Sequence, residues 1–167
     1  MQLIFIRHGI TTFNEQGIFQ GQYDCKLSKT GLEMTKRFKQ NFNIHYDYCY
    51  SSPLKRASMT AQIITDDKNI IYDDRLMEIC FGEFEKTKIT EDKLYSFDTG
   101  INFPIGAETK KEVEKRVSNF LNYLKNKYSD DKTILIITHG GIIRAVQRIY
   151  NLEDVLVNNL EVFKINI

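Results

Sequence analysis

Two histidines in this chain stand where an imidazole can do covalent chemistry. Each follows an apolar run at once and is followed by glycine: residues 2–6 (QLIFI) lead into Arg7-His8-Gly9, and residues 133–138 (TILIIT) into His139-Gly140-Gly141. In parallel α/β sheets ligands sit beyond the carboxyl ends of the strands. If the two runs are neighbouring strands, both rings therefore project into one crevice. A single histidine is ordinarily structural, and His45, which has no such context, reads that way. Two at equivalent strand ends, each with a glycine that permits close approach, point to a site.

A crevice of this kind suits a phosphoryl group if donors are already aimed at it. Arg7 adjoins His8, and Arg56 falls at the start of a helical pattern in residues 51–57 (SSPLKRA). Guanidinium forks match phosphate oxygens two at a time, and the amides of a helix opening near Gly140 add further donors. Two flanking arginines also disfavour protonation of His8, which leaves a neutral ring able to attack phosphorus. Arg37, Arg75, Arg116 and Arg148 have no such setting and read as surface ion pairs.

The elements that must hold these groups alternate between strand and helix. Residues 2–6 and 133–138 are buried strands; residues 46–50, 70–72 and 160–167 read as three more. Ser28 caps a helix carrying Leu32, Thr35, Phe38 and Phe42. Ser52-Pro53 gives an N-cap and a first-turn proline for a helix carrying Leu54, Ala57, Ala61 and Ile64. Thr109 and Glu112 form a capping box ahead of Val113, Val117, Phe120, Leu121 and Leu124. An apolar helix runs from about Ile142 to Tyr150. Residues 10–27 read as a long polar loop, and 81–107 as an irregular, lid-like insertion without a sustained period. The pattern implies one α/β layer domain over 1–167 with a largely parallel sheet.

Composition sets outer limits. The 167 residues carry a net charge of +1, so nothing global favours nucleic acid or a membrane surface, and attraction for an anion must be local. Cys25, Cys49 and Cys80 have no paired spacing, and imply neither a disulfide framework nor a zinc site. No leader pattern precedes the first strand, and no apolar run reaches the roughly 20 residues of a membrane span. The expected compartment is the cytoplasm.

Arranged in order, these residues resemble the histidine phosphatase superfamily, in its phosphoglycerate mutase-like and α-ribazole phosphatase-like branch. Arg7-His8-Gly9-Ile10-Thr11 with Asn14 is similar to the RHGxT…N signature. Residues 19–24 (FQGQYD), followed by Leu27-Ser28 and Gly31, resemble the substrate loop and the helix after it. Residues 51–57 with Thr60-Ala61 resemble the SSPLxRAxxTA block. Leu76-Met77-Glu78 and residues 81–85 (FGEFE) resemble LxE…FGxWEG, residues 105–109 resemble the PGGES turn, and Thr138-His139-Gly140-Gly141 matches the last catalytic motif.

The resemblance implies a three-layer fold with a mostly parallel central sheet flanked by helices. It implies a phosphoric monoester hydrolase that needs no metal or cofactor and acts on a small-molecule phosphate ester, as a monomer or a homodimer. His8 would be the nucleophile. Arg7, Arg56 and His139 would line the phosphate pocket, with Asn14 and the backbone near Gly140 assisting and Gln20 and Gly21 facing the substrate. Glu78 would protonate the leaving oxygen and then act as base on water. The chain departs from the family pattern at Ile10, where a polar residue is common, at Phe84 and Lys86 in the WEG stretch, and at Ala107 in the PGGES turn. Ile10 is expected to make the pocket mouth less polar.

Three other readings compete. A cofactor-dependent phosphoglycerate mutase would need extra basic residues after Glu78, and residues 79–93 (ICFGEFEKTKITEDK) carry no arginine. A cysteine phosphatase needs Cys-x5-Arg, whereas six residues separate Cys49 from Arg56 and one is Pro53, which has no amide N–H. A non-catalytic binder of phosphorylated ligands has no sequence feature of its own. Specificity is expected to lie in residues 83–106, where Tyr95, Phe97 and Phe103 either cover a leaving group or pack locally. α-Ribazole phosphate, a sugar phosphate and broad activity on small esters all stay open.

Overall fold

The computed structural model describes residues 1–167. Its sheet has five strands: β1 (Gln2–Arg7), β2 (Tyr48–Ser51), β3 (Ile70–Tyr72), β4 (Thr133–Thr138) and β5 (Val162–Asn166). Their order is β3-β2-β4-β1-β5, with β5 alone antiparallel, against β1. The inner strands are apolar on both faces because helices cover both. Leu3, Phe5, Ile134 and Ile136 pack with α5 (Lys110–Lys127) and α6 (Gly140–Ile149). On the opposite face Ile4, Ile6, Leu135 and Ile137 pack with α3 (Lys55–Thr65) and with Phe38 of α2 (Lys29–Asn41). This is the expected three-layer α/β domain.

Two of the three helices expected from a cap and an apolar period start where expected. Thr109 and Glu112 do form a capping box, and Val113, Val117, Phe120, Leu121 and Leu124 are all buried. Ser28 caps α2 through the amide of Gly31.

Three local expectations fail. Helix α3 starts at Lys55 with Leu54 at the cap position, not at Ser52-Pro53; the Ser52 hydroxyl accepts from the Leu54 amide at 3.3 Å and also meets a buried histidine described below. The polar stretch 10–27 contains a short helix, α1 (Thr12–Gln16), closed by Thr11 and Asn14 as a capping box. The stretch 81–107 contains a 3-10 turn at Gly82–Phe84 and a helix, α4 (Glu91–Thr99), capped by Thr90 and ended by Gly100. No residue of α4 is buried, and Leu94 and Phe97 alone are too short an apolar period to betray it. Within this stretch Lys86, at the motif's glycine position, adopts a left-handed backbone with φ 65°.

The register of β1 on β4 decides the site. Arg7 pairs with Thr138, and the amide of His8 donates to the Thr138 carbonyl at 2.9 Å. His8 and His139 are thus the next residues off two adjacent strand ends.

Candidate active site

The rings of His8 and His139 lie 5.1 Å apart, centroid to centroid. His8 Nδ1 is 2.7 Å from the carbonyl of Gly9. Only a ring N–H can donate to a carbonyl, so Nδ1 carries the proton and Nε2 keeps its lone pair. The Gly9 amide is itself fixed, donating to Thr60 Oγ1 at 3.0 Å, while that hydroxyl donates to the Arg56 carbonyl at 2.6 Å. Burial, and then the charges of Arg56 and Arg7, push the His8 imidazole well below its usual range. A neutral ring is the resting form.

The two arginines are tethered by backbone carbonyls. Arg7 Nη1 donates to Val157 (2.8 Å), and Arg56 donates to Gly21 through Nη2 (2.6 Å) and to Tyr23 through Nη1 (3.0 Å). His139 shares a 2.8 Å hydrogen bond through Nε2 with Ser52 Oγ. Three nitrogens remain buried without a protein partner here: Arg7 Nε, Arg56 Nε and His139 Nδ1. Buried polar atoms left unpaired are rare and call for an explanation. An anion bound at the strand ends supplies one.

Glu78 reaches the same place from the turn after β3. Its carboxylate accepts from the amides of Ile79 (2.9 Å) and Gly141 (3.4 Å). Its carbonyl accepts from Gln22 Nε2 (3.2 Å) and Arg116 Nη2 (3.1 Å). Arg116 in turn grips Glu108 with two hydrogen bonds of 2.8 and 2.9 Å, and Glu108 takes the Cys80 amide at 2.9 Å. The carboxylate is thereby set from both sides.

These groups border one cavity of about 530 Å³, lined among others by Arg7, His8, Asn14, Gln20, Gly21, Arg56, Glu78 and Gly140. Eight of the nine residues expected at the site are therefore in its wall. The ninth, His139, is fully buried and reaches the site through its contact with the His8 ring. Gln20 Oε1 accepts from Thr11 Oγ1 at 2.8 Å, which sets its side chain. Gly21 has φ 54°, and a Cβ there would meet the Glu85 carboxylate at 2.1 Å.

The sequence profile of the histidine phosphatase superfamily (branch 1) matches residues 3–165. The chain belongs to that family. Among curated proteins it is 33% identical to putative phosphoserine phosphatase 2 of Hydrogenobacter thermophilus, over 87% of this chain and 76% of that one. It is 26% identical to a broad-specificity phosphatase of Saccharomyces cerevisiae, over 100% of this chain and 77% of that one. Among solved structures it superposes on a phosphoserine phosphatase of Entamoeba histolytica, crystallised with 3-phosphoglyceric acid, with a TM-score of 0.83. That match is 28% identical and covers 98% of this chain and 89% of the other.

Several parts of this histidine phosphatase differ from the sequence expectation. Ile10 is not in the cavity wall; its carbonyl instead packs against Gly31, where a Cβ would come within 1.9 Å. Of the three aromatics in the 83–106 stretch, Phe97 lines the cavity, Phe103 stacks on Phe97, and Tyr95 is mostly exposed. Arg116 does form an ion pair, with Glu108, but the pair is half-buried and the same guanidinium also holds the Glu78 carbonyl. Arg148 lines the cavity as well as pairing with Glu114 and Asp154. Gly141 was readable only as part of a motif, yet a Cβ there would press on Glu78 Oε1 at 2.4 Å. Cys49 is buried and its thiol is pushed up to about 12, so it supplies no thiolate at neutral pH.

Proposed function

We propose that this protein is a phosphatase of small-molecule phosphate monoesters that works through a phosphohistidine on His8. The observation that carries this is the hydrogen bond from His8 Nδ1 to the Gly9 carbonyl. It leaves Nε2 as a nucleophile in a neutral ring, beside two arginines with unpaired nitrogens.

The steps follow from the placement. Nε2 attacks phosphorus, forming a P–N bond as the P–O bond to the alcohol breaks, and Glu78 gives its proton to the departing oxygen. The imidazolium so formed keeps its Nδ1–H on the Gly9 carbonyl. Arg7, Arg56 and the first amides of α6 meet the charge on the phosphoryl oxygens. Water then attacks the phosphoryl group as the Glu78 carboxylate takes its proton. The P–N bond breaks, and inorganic phosphate leaves a neutral His8. His139, held by Ser52, supports the pocket from behind.

Hydrolysis is favoured over a mutase reaction by where the lysines after Glu78 go. Lys88 donates to the Gln16 carbonyl, Lys93 to Thr87, and Lys86 lies over the Tyr23 ring. None of the three lines the cavity, so that tract offers no cation to a second phosphate. No helix is long and apolar enough to cross a membrane; the three free thiols suit a reducing compartment such as the cytoplasm.

The decisive experiment is hydrolysis of 4-nitrophenyl phosphate in excess EDTA, wild type beside His8→Ala. Turnover that survives the chelator and disappears in the variant is expected. Turnover that persists in the variant would exclude the covalent route.

A further inference from the structure

Part of the cavity wall differs in character from the polar groups around His8. Ile18, Phe81, Ile89, Leu94, Phe97 and Leu156 all belong to it. Phe81 and Phe97 meet edge to face with centroids 5.0 Å apart, so they form one continuous aromatic wall. Around the mouth Ile89, Leu94 and Leu156 are 44%, 45% and 62% exposed. Contiguous apolar side chains kept open to water at a cavity mouth are characteristic of a binding surface.

Charged groups are also present at the rim, but they are matched among themselves. Lys110 pairs with Asp98 at 2.8 Å and Arg144 with Asp154 at 2.6 Å. Arg148 pairs with Glu114 at 2.6 Å and Asp154 at 3.0 Å. Arg148 Nη2 has no partner, yet the charge of that guanidinium is already shared by two carboxylates. A carboxylate on the substrate would have to displace Asp154 or Asp98 from these pairs. An apolar group would displace only water.

We propose that this wall binds the alcohol portion of the substrate, and that the preferred esters are phosphates of apolar, ring-bearing alcohols and not of carboxylated ones. This rests on the phosphatase reading above and names its substrate class. Phosphate is held by Arg7, Arg56 and the α6 amides whatever the alcohol is, so selectivity resides in the wall formed by α4 and its flanks.

The test compares esters of primary alcohols, so that leaving-group acidity does not decide the ranking: 2-phenylethyl phosphate, glycerol 3-phosphate and phosphoserine. The expected kcat/KM for 2-phenylethyl phosphate exceeds that for phosphoserine by about tenfold or more, the range that apolar contacts supply in discrimination. Leu94→Asp, a substitution at an exposed position, should bring that ratio down to about one. A wild-type enzyme that hydrolyses phosphoserine as well as or better than the phenylethyl ester would overturn the inference and leave the phosphatase reading standing. A ratio unmoved by Leu94→Asp would overturn the assignment of the wall. No turnover of any ester, together with no label on His8 from radioactive phosphate esters, would overturn both readings.

Discussion

The two halves of the cavity are built by different means. At the strand ends four functional side chains are tied to main chain: His8 to Gly9, Arg7 to Val157, Arg56 to Gly21 and Tyr23, Glu78 to the amides of Ile79 and Gly141. In the outer wall main-chain hydrogen bonds fix the backbone, as from Ile89 to Gly17 and from Ile18 to Phe13, but the lining side chains are apolar and make none, and α4, which supplies Leu94 and Phe97, buries no residue. The difference separates two tasks. Groups that must meet a fixed transition state are over-determined, whereas groups that only cover a leaving alcohol can be replaced without disturbing the fold.

That contrast can be broken most sharply at His8. His8→Ala should cost on the order of 10⁴-fold or more in kcat, as loss of a nucleophile does elsewhere; single-turnover kinetics on an aryl phosphate will show whether a fast acid-quenchable phosphoenzyme has gone. Arg56→Ala should lose roughly 10²–10³-fold in kcat/KM, the worth of one preorganised donor. A loss below about fivefold would place Arg56 outside the transition state.

Gly141→Ala tests the carboxylate in the same way. A Cβ would overlap Glu78 Oε1 and the Ile79 side chain at 2.4 and 2.7 Å. Displacement by a fraction of an ångström should lower kcat by about 10- to 100-fold, with KM for the ester little changed. An unaltered kcat would mean that Glu78 does not transfer the proton.

The buried histidines give the strand-end half a pH signature. Burial, then Arg56, then other charges hold both His8 and His139 well below the ordinary imidazole range. In the unfolded chain they titrate near about 6.5. Their neutrality therefore costs nothing above that pH, and below it the unfolded state takes up protons that the folded state refuses. Stability should fall as pH drops below about 6.5, by up to ~1.4 kcal/mol per pH unit per histidine. Urea midpoints at successive pH values should fall less steeply for His139→Gln than for wild type. Equal slopes would show that His139 does not resist protonation.

The smallest effect lies outside the cavity wall, in the chain segment just before α4. Lys86 pays about 1–2 kcal/mol for a left-handed backbone, offset in part by its place over the Tyr23 ring. Lys86→Gly should raise stability by about 1 kcal/mol in thermal or urea unfolding and leave hydrolysis of small esters within a factor of two. Destabilisation would show that the ring contact outweighs the strain.

Legibility in the sequence followed the same division. His8, His139, Arg7 and Arg56 could be picked out because strand runs, glycines and a helix start mark them locally, and Glu78 because an ordered motif surrounds it. α4 left caps at Thr90 and Gly100 but only a short apolar face, Leu94 and Phe97, in nine residues, so periodicity passed over it. Arg116 was read only in part for a related reason: its charge partner Glu108 is close in the chain, but the Glu78 carbonyl that it also holds is 38 residues away.

The sequence by itself determined the α/β alternation, the capped helices and the groups able to handle a phosphoryl ester, since each depends on residues near one another in the chain. Only the tertiary structure decided that His8 and His139 meet, through the β1–β4 register. It also decided that a side chain at Gly141 would press on Glu78, and that rim charges pair while Leu94 and Phe97 stay open to the cavity. Those outcomes depend on distances between segments far apart in sequence, which side-chain types alone do not encode.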